Sequence, residues 1–305
     1  MNKRLKNRLF FWGIFIILFL ILLFFIIGRI NNNSYVKSTG YSSSYFNRPK
    51  PDYTMSLKET NGSVDIYTVN FKSKSFMDSP ALIYGLLFMP KDKKNIPGIV
   101  LLPGGSVTKE SFIARSVDIA NLGYAVLVID QRGIGQTGGS YPSLQDDYEI
   151  YTSGKESIQH LGVYDGLAAY DVLRSIKNID KNNIAIGGDS MGGRYAIIAA
   201  ALDKRLDGVI TVSSSGFHFK NDNQPYTPFL LSIDPDNYIS KISPRPVLML
   251  QGDNDTTVKL EDANYTFNLA KEPKRFFIAE GCGHGYCEKM ADEFREDLNI
   301  LYEKY

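Results

Sequence analysis

Apolar and polar positions divide the chain into an N-terminal apolar run, a polar stretch and a long alternating region. Residues 9–27 contain no charged side chain, and a helix rising about 1.5 Å per residue makes this run about as long as a bilayer's hydrocarbon core is thick. The following residues are rich in Asn, Ser, Tyr and Pro and show no apolar periodicity. The pattern predicts a transmembrane helix over 9–27, a linker over 28–62 and a folded domain over 63–305.

Short apolar runs alternate with helix-like segments throughout the predicted domain. The first two, "DIYTVNF" and "ALIYGLLFMP", are predicted to form an antiparallel strand pair. Later runs such as "GIVLLP" and "YAVLVID" are continuously apolar, as in strands buried on both faces, and helical patterns separate them. This order predicts an α/β fold, with helices flanking a mostly parallel central sheet. The proline-containing segment 215–243 lacks a strong pattern and is a candidate for a small lid.

The distribution of charge predicts how the chain sits in a membrane. Four basic residues lie within 1–8, whereas only Arg29 follows the apolar run closely, which predicts that segment 1–8 is cytoplasmic. The run ends in "FFIIGRINNN" without a small-residue cleavage site, so an uncleaved signal anchor is favoured over a secretory signal peptide. We therefore expect a single-pass protein of the cell membrane whose folded domain is extracytoplasmic.

Composition and charge argue against one class of partner, nucleic acid. The 305-residue chain is 44% hydrophobic and 22% charged, with a formal net charge of +1, which is ordinary for a globular protein. Beyond the N-terminus it contains no basic run. Nucleic acid is therefore not an expected partner.

The stretch "IAIGGDSMGGRYA" contains the strongest chemical motif. Ser190 lies in a G-x-S-x-G pattern between a buried strand and a helix, which is the context of a nucleophile elbow. Glycines at 188 and 192 would allow strand and helix to approach closely. We expect Ser190 to be a catalytic nucleophile rather than a plain helix-capping serine.

A serine nucleophile needs a base, and the chain has three histidines. His284 follows the last predicted strand between two glycines and is the expected base. His160 is expected to face solvent or to act as a cap. His218 lies in segment 215–243, where a surface role or a contact with substrate is expected.

The histidine in turn needs a carboxylate, and "QGDNDTTV" offers two. Asp253 suits a turn role, so Asp255 is the expected partner of His284. The resulting chain order of Ser, Asp and His differs from the His, Asp, Ser order of trypsin-like proteases, which excludes that family.

With these motifs, the chain over 63–305 resembles the α/β-hydrolase superfamily. The matching segments are "GGDSMGG", "GDNDTTV", "GCGHGY" and "VIDQRGIGQTGG". Within the superfamily the chain is similar to dienelactone-hydrolase-like and prolyl-oligopeptidase-like catalytic domains, although it has no room for the propeller of the latter. The resemblance implies structural roles for Asp130, Arg132 and Gly133.

The resemblance also implies an oxyanion hole made of backbone amides. One donor would be Met191, and the second would come from Gly105 or Ser106, in the loop where many relatives have His-Gly and this chain has Pro103-Gly104. The resulting chemistry requires neither a metal nor a cofactor.

The two cysteines, Cys282 and Cys287, flank His284. Outside the cytoplasm a disulfide between them would close the segment 282–287, which contains His284 and is called the histidine loop below. Free thiols are the main alternative. A metal cluster is the third, although a structural zinc site usually has four ligands.

These observations predict a membrane-anchored serine hydrolase that cleaves carboxylic esters and acts on a small acyl substrate. A peptidase or aminoacyl hydrolase acting on short peptides is the nearest alternative, and acyl transfer to a cell-envelope polymer is another. A catalytically silent binding domain with the same fold belongs to a different class. A charged pocket for a peptide terminus would separate peptidase from esterase, but the sequence does not place Arg132, Arg194 or Arg245.

Overall fold

The computed structural model describes residues 40–77 and 79–302, and the chain divides into two compact units, 1–47 and 48–305. In the first unit the described part forms one 3-10 turn, Ser43–Tyr45. The predicted cytoplasmic segment 1–8 and transmembrane helix 9–27 lie outside the described residues. Among the described residues, no helix has the length and apolarity needed to cross a membrane.

A mixed sheet of nine strands runs through the described part of the second unit. The strands are β1 (Tyr53–Asn61), β2 (Val64–Phe76), β3 (Ser79–Pro90), β4 (Ile96–Leu102), β5 (Ala125–Ile129), β6 (Ile179–Asp189), β7 (Val209–Val212), β8 (Val247–Gly252) and β9 (Lys274–Ala279). Their spatial order is β1-β2-β3-β5-β4-β6-β7-β8-β9. The pairs β1–β2, β2–β3 and β3–β5 are antiparallel, and all others are parallel. The predicted α/β fold with a mostly parallel sheet is confirmed.

Helices cover both faces of this sheet. They are α1 (Ile113–Asn121), α2 (Leu144–Thr152), α3 (Ile158–Ser175), α4 (Met191–Leu202), α5 (Thr227–Ile233), α6 (Leu260–Leu269) and α7 (Ala291–Tyr302). On one face, apolar side chains of β4 and β5 form a core with α1 and α7. The central strands are buried almost throughout, which explains their continuous apolar sequence.

The first strand extends the sheet into the segment predicted to be a linker. β1 pairs with β2 from Tyr53↔Phe71 to Asn61↔Val64, so the predicted boundary between 62 and 63 falls inside this hairpin. Every residue of β1 after the first is exposed. Its first six residues, "YTMSLK", alternate between apolar and polar as in a strand, although Met55 and Leu57 are exposed at this edge of the sheet.

The segment 215–243, the candidate lid, contains α5 and two 3-10 turns, Pro235–Asn237 and Ile239–Lys241. Five of its apolar side chains are buried: Phe229, Ile233, Tyr238, Ile239 and Ile242. These side chains anchor the segment to the domain, and its closure over the site stays a prediction.

Candidate active site

Ser190 occupies a sharp turn between β6 and α4. Its backbone has φ 52° and ψ −117°, a conformation that residues with side chains rarely adopt. Two hydrogen bonds hold the turn: Ser190 N donates to Val212 O at 2.8 Å, and Ser214 Oγ donates to Ser190 O at 2.9 Å. The geometry is that expected of a nucleophile elbow.

Close packing explains the glycines on either side of the serine. A Cβ at Gly192 would lie 1.9 Å from Leu102 O, and a Cβ at Gly188 would lie 2.5 Å from the carbonyl carbon of Gly192. Both distances are far shorter than a van der Waals contact. The turn therefore has no room for a side chain at either position.

The loops after β8 and β9 bring Asp255 and His284 together. His284 Nδ1 lies 2.8 Å from Asp255 Oδ2. The Asp255 side chain is fully buried, whereas that of His284 is 32% exposed. With Nδ1 facing the carboxylate, Nε2 remains the nitrogen that can exchange a proton with another group.

Backbone amides hold Asp255 in its ionised form. Val258 N and Thr257 N each donate to Asp255 Oδ1 at 2.9 Å. Burial opposes ionisation of this carboxyl, but the hydrogen bonds from Val258, His284 and Thr257 outweigh it and lower the pKa of Asp255. Asp255 therefore presents a negative charge to His284.

The histidine loop is fixed at three further points. Cys282 and Cys287 form a disulfide across it. Gly285 N donates to Ser213 Oγ at 2.9 Å. Asp253, which the sequence predicts to be a turn residue, accepts a hydrogen bond from Gly281 N at 2.6 Å. Together these contacts tie the loop after β9 to the loops after β7 and β8.

An ion pair that the sequence did not predict lies directly before the serine. Arg115 Nη2 is 3.0 Å from both carboxylate oxygens of Asp189. Burial raises the pKa of Asp189 even though Arg115 acts in the opposite direction. The Arg115 guanidinium also lies 4.5 Å from the ring centroid of Tyr286, in the histidine loop. Arg115 thereby links the serine turn to the histidine loop, and no local sequence signal indicates this.

The loop after β4 lies against the serine. A Cβ at Gly104 would be 3.4 Å from Ser190 Cβ. The neighbouring Gly105 faces open space, and Ser106 has a positive φ of 61°. Gln131 Nε2 donates to Pro103 O and ties the loop to the end of β5. Met191, the other expected amide donor, is the first residue of α4.

The other two histidines have partners away from Asp255. His160 is buried in α3, with Nε2 2.7 Å from Ser232 Oγ, so the expectation that it faces solvent is wrong. Burial lowers its pKa to about 4. His218 Nδ1 lies 2.6 Å from Asp236 Oδ2.

Asp130 and Arg132, two of the three residues to which the resemblance assigns structural roles, form buried polar contacts. Asp130 accepts hydrogen bonds from Lys109 Nζ at 2.7 Å and from Gln136 N at 2.9 Å. Arg132 donates to both oxygens of Asp165 at 2.6 and 2.8 Å.

Across residues 40–77 and 79–302, no group of three or more His, Cys, Asp or Glu side chains could hold a metal ion.

The sequence over residues 47–221 matches the family described as acetyl xylan esterase (AXE1). The chain belongs to this family. The predicted α/β-hydrolase superfamily is confirmed at the level of the family, and the family's description agrees with the predicted enzyme class, a serine hydrolase acting on esters.

Individual relatives agree with this family. The putative hydrolase YtaP of Bacillus subtilis is 30% identical over 56% of this chain and 59% of its own length. The acetyl esterase Axe7A of Xylanibacter ruminicola is 25% identical over 72% of this chain and 56% of its own length. The chain thus spans somewhat under three fifths of the length of these curated relatives.

Solved structures support the fold. The acetyl xylan esterase from Paenibacillus sp. R4 superposes with a TM-score of 0.70 at 20% identity, covering 84% of this chain and 91% of that chain. Acetyl xylan esterase 1 from Thermoanaerobacterium sp. JW/SL YS485 gives a TM-score of 0.69 at 17% identity, covering 86% and 93%. At these identities the likeness concerns the fold alone.

Proposed function

We propose that this chain hydrolyses carboxylic esters of short acyl groups, with Ser190 as nucleophile, His284 as general base and Asp255 as its carboxylate partner. The observation that carries the proposal is the 2.8 Å contact between His284 Nδ1 and the buried Asp255. Membership of the acetyl xylan esterase family and the relative named acetyl esterase favour an acetyl ester over a peptide.

In the proposed mechanism the contacts of His284 set its role. Because Asp255 faces Nδ1, Nε2 takes the proton of Ser190 as the oxygen attacks the ester carbonyl. The tetrahedral oxyanion accepts hydrogen bonds from the amide of Met191 and from the amide of Gly105 or Ser106. His284 then protonates the leaving alcohol, and water attacks the acyl-enzyme by the reverse route.

The anchoring of the enzyme is part of the same proposal. Residues 9–27 form an uncleaved transmembrane helix, with segment 1–8 in the cytoplasm and the catalytic domain outside. The uncharged run and the basic residues before it support this arrangement. The disulfide in the histidine loop is consistent with a compartment that is oxidising.

Kinetics of the full chain in detergent test the catalytic assignment. We expect hydrolysis of 4-nitrophenyl acetate, a loss of about 10³-fold or more in kcat for Ser190→Ala, and a similar loss for Asp255→Asn. Asp253→Asn is the matched control, because this neighbouring carboxylate bonds Gly281 N and not His284. Full activity in Ser190→Ala, or preferential cleavage of aminoacyl 4-nitroanilides, would contradict the esterase assignment.

Protease treatment of cells expressing the full chain tests the anchoring. If the proposal is right, protease added to intact spheroplasts removes the catalytic domain, and deletion of residues 1–28 releases the protein from the membrane fraction. A catalytic domain that is digested only after lysis would contradict the proposed topology.

A further inference from the structure

Arg194 stands one helical turn after Ser190 and differs from the other arginines near it. Its backbone N–H donates to Ser190 O at 3.2 Å in the first turn of α4. Its guanidinium lies 4.4 Å from the ring centroid of Phe217. Arg115 and Arg132, by contrast, each contact a carboxylate at 3.0 Å or less.

The guanidinium has no counter-ion in the described part of the chain. Within residues 40–77 and 79–302, no carboxylate lies within 4.0 Å of Arg194, and its side chain makes no hydrogen bond. Burial lowers the pKa of Arg194, and the acidic groups that act on it, Tyr195, Tyr141 and Asp234, do not offset this effect. A partly buried positive charge is thus left without a direct partner, which is costly unless a ligand supplies one.

The three neighbouring acidic groups already have other partners. Asp234 accepts hydrogen bonds from the backbone N–H groups of Phe217 and Phe219 at 3.0 and 2.9 Å. The hydroxyls of Tyr141 and Tyr195 lie 2.7 Å apart and bond each other. Burial raises the pKa of both phenols, so they remain neutral at physiological pH.

Arg194 also faces the edge of the sheet to which the candidate active site belongs. Phe217 follows β7 and Tyr141 follows β5 at the carboxyl ends of these strands, the edge where open α/β sheets bind ligands. Residues four apart on a helix lie on the same face, and their side chains lean towards the helix N-terminus. We therefore expect the Arg194 side chain to lean towards the end of α4 at which Ser190 lies.

We propose that Arg194 binds a carboxylate carried by the ester substrate, so that this enzyme prefers anionic esters to neutral ones of the same shape. This inference rests on the proposed function. A guanidinium pairs with a carboxylate through two parallel N–H···O bonds.

Matched esters test this preference with the full chain. One pair is 4-nitrophenyl hemisuccinate against 4-nitrophenyl 4-methylpentanoate, which places the charge on the acyl side. The other is 4-acetoxybenzoate against 4-isopropylphenyl acetate, which places it on the alcohol side. We expect at least one anionic ester to have the higher kcat/KM, and Arg194→Gln to reduce the ratio of anionic to neutral kcat/KM about 10- to 100-fold.

A charge-matched variant controls for the loss of one positive charge. Arg174 lies near the end of α3, before β6 begins, and so at the opposite edge of the sheet from Ser190. Arg174→Gln should keep the preference of the wild type. Equal ratios in wild type and Arg194→Gln for both pairs would overturn the inference.

Binding without turnover separates this inference from the proposed function. Succinate is titrated calorimetrically into Ser190→Ala and into Ser190→Ala with Arg194→Gln. We expect binding that weakens about tenfold or more when Arg194 is replaced. If no ester is hydrolysed yet succinate binds through Arg194, the esterase assignment fails and the carboxylate site stands. If succinate binding is the same in both variants, the carboxylate site fails.

Discussion

Arg115 Nη2 lies 3.0 Å from both carboxylate oxygens of Asp189, the residue immediately before Ser190. The two side chains are 7% and 14% exposed, so the pair is largely removed from water. Asp189 belongs to the serine turn, and Arg115 packs on Tyr286 of the histidine loop. The ion pair thus connects the two loops whose relative position the proposed chemistry requires.

Replacing Arg115 by Met should strongly destabilise the domain. The Asp189 carboxylate would be left buried without its partner, at a cost of about 3–5 kcal/mol in the free energy of unfolding. Urea denaturation of the wild type, Arg115→Met, Asp189→Asn and the double variant forms a complete cycle. We expect the double variant to be more stable than Arg115→Met alone, and strictly additive effects would show that the pair does not interact.

Gly192→Ala should abolish folding or reduce activity by more than about 100-fold, because the new Cβ would lie 1.9 Å from Leu102 O. Soluble yield, circular dichroism and ester hydrolysis report on both outcomes. Gly138→Ala is the matched control, since a Cβ at Gly138 meets nothing within 4 Å. A fully active Gly192→Ala enzyme would be incompatible with the close packing of the serine turn.

The disulfide between Cys282 and Cys287 should stabilise the histidine loop. Closing so short a loop in the unfolded chain is worth about 2 kcal/mol, so a reductant should lower both the melting temperature and the esterase activity of the wild type. The variant Cys282→Ser with Cys287→Ser should show the lowered values without any reductant and should not respond to its addition. A wild-type melting curve that reductant does not shift would argue against the prediction.

His160 should make stability depend on pH in the acidic range. Its pKa is lowered from 6.5 to about 4 in the folded protein by burial, so between these values the unfolded chain binds the additional proton. The stabilisation is present above pH 6.5 and is lost as the pH falls to about 4, an effect of about 3 kcal/mol.

The variant His160→Gln isolates this effect. Glutamine does not titrate and can still hydrogen-bond Ser232. The free energy of unfolding, measured by urea denaturation at several pH values, should therefore fall more steeply for the wild type than for the variant. Parallel profiles would mean that His160 is not responsible for the acid sensitivity.

The sequence predicts the central strands because their burial on both faces makes them continuously apolar. β1 lies outside the predicted domain although its first six residues, "YTMSLK", alternate between apolar and polar, because every residue after the first is exposed and no continuous apolar run marks the strand. The expectation that His160 faces solvent is also wrong. It lies in α3, where most neighbouring side chains are buried, so the surroundings of the whole helix were the better guide.

Some residues of the candidate site can likewise be predicted from local sequence, whereas others cannot. Ser190 can be predicted because the turn needs its glycines at fixed spacing, and that requirement is local. The choice of Asp255 over Asp253 agrees with the contact that Asp255 makes with His284. Arg115 is 74 residues from Asp189, and the isolation of Arg194 depends on where Phe217 and Asp234 lie. Such relationships arise only from tertiary packing.

The most direct test of the central claim is whether Ser190 becomes covalently modified. The full chain is treated with a fluorophosphonate, and intact-mass spectrometry with peptide mapping locates the adduct. We predict one adduct per chain, on the peptide containing Ser190, and none in Ser190→Ala. A folded wild-type protein that forms no adduct, or that carries it on another residue, would contradict the assignment of Ser190 as the nucleophile.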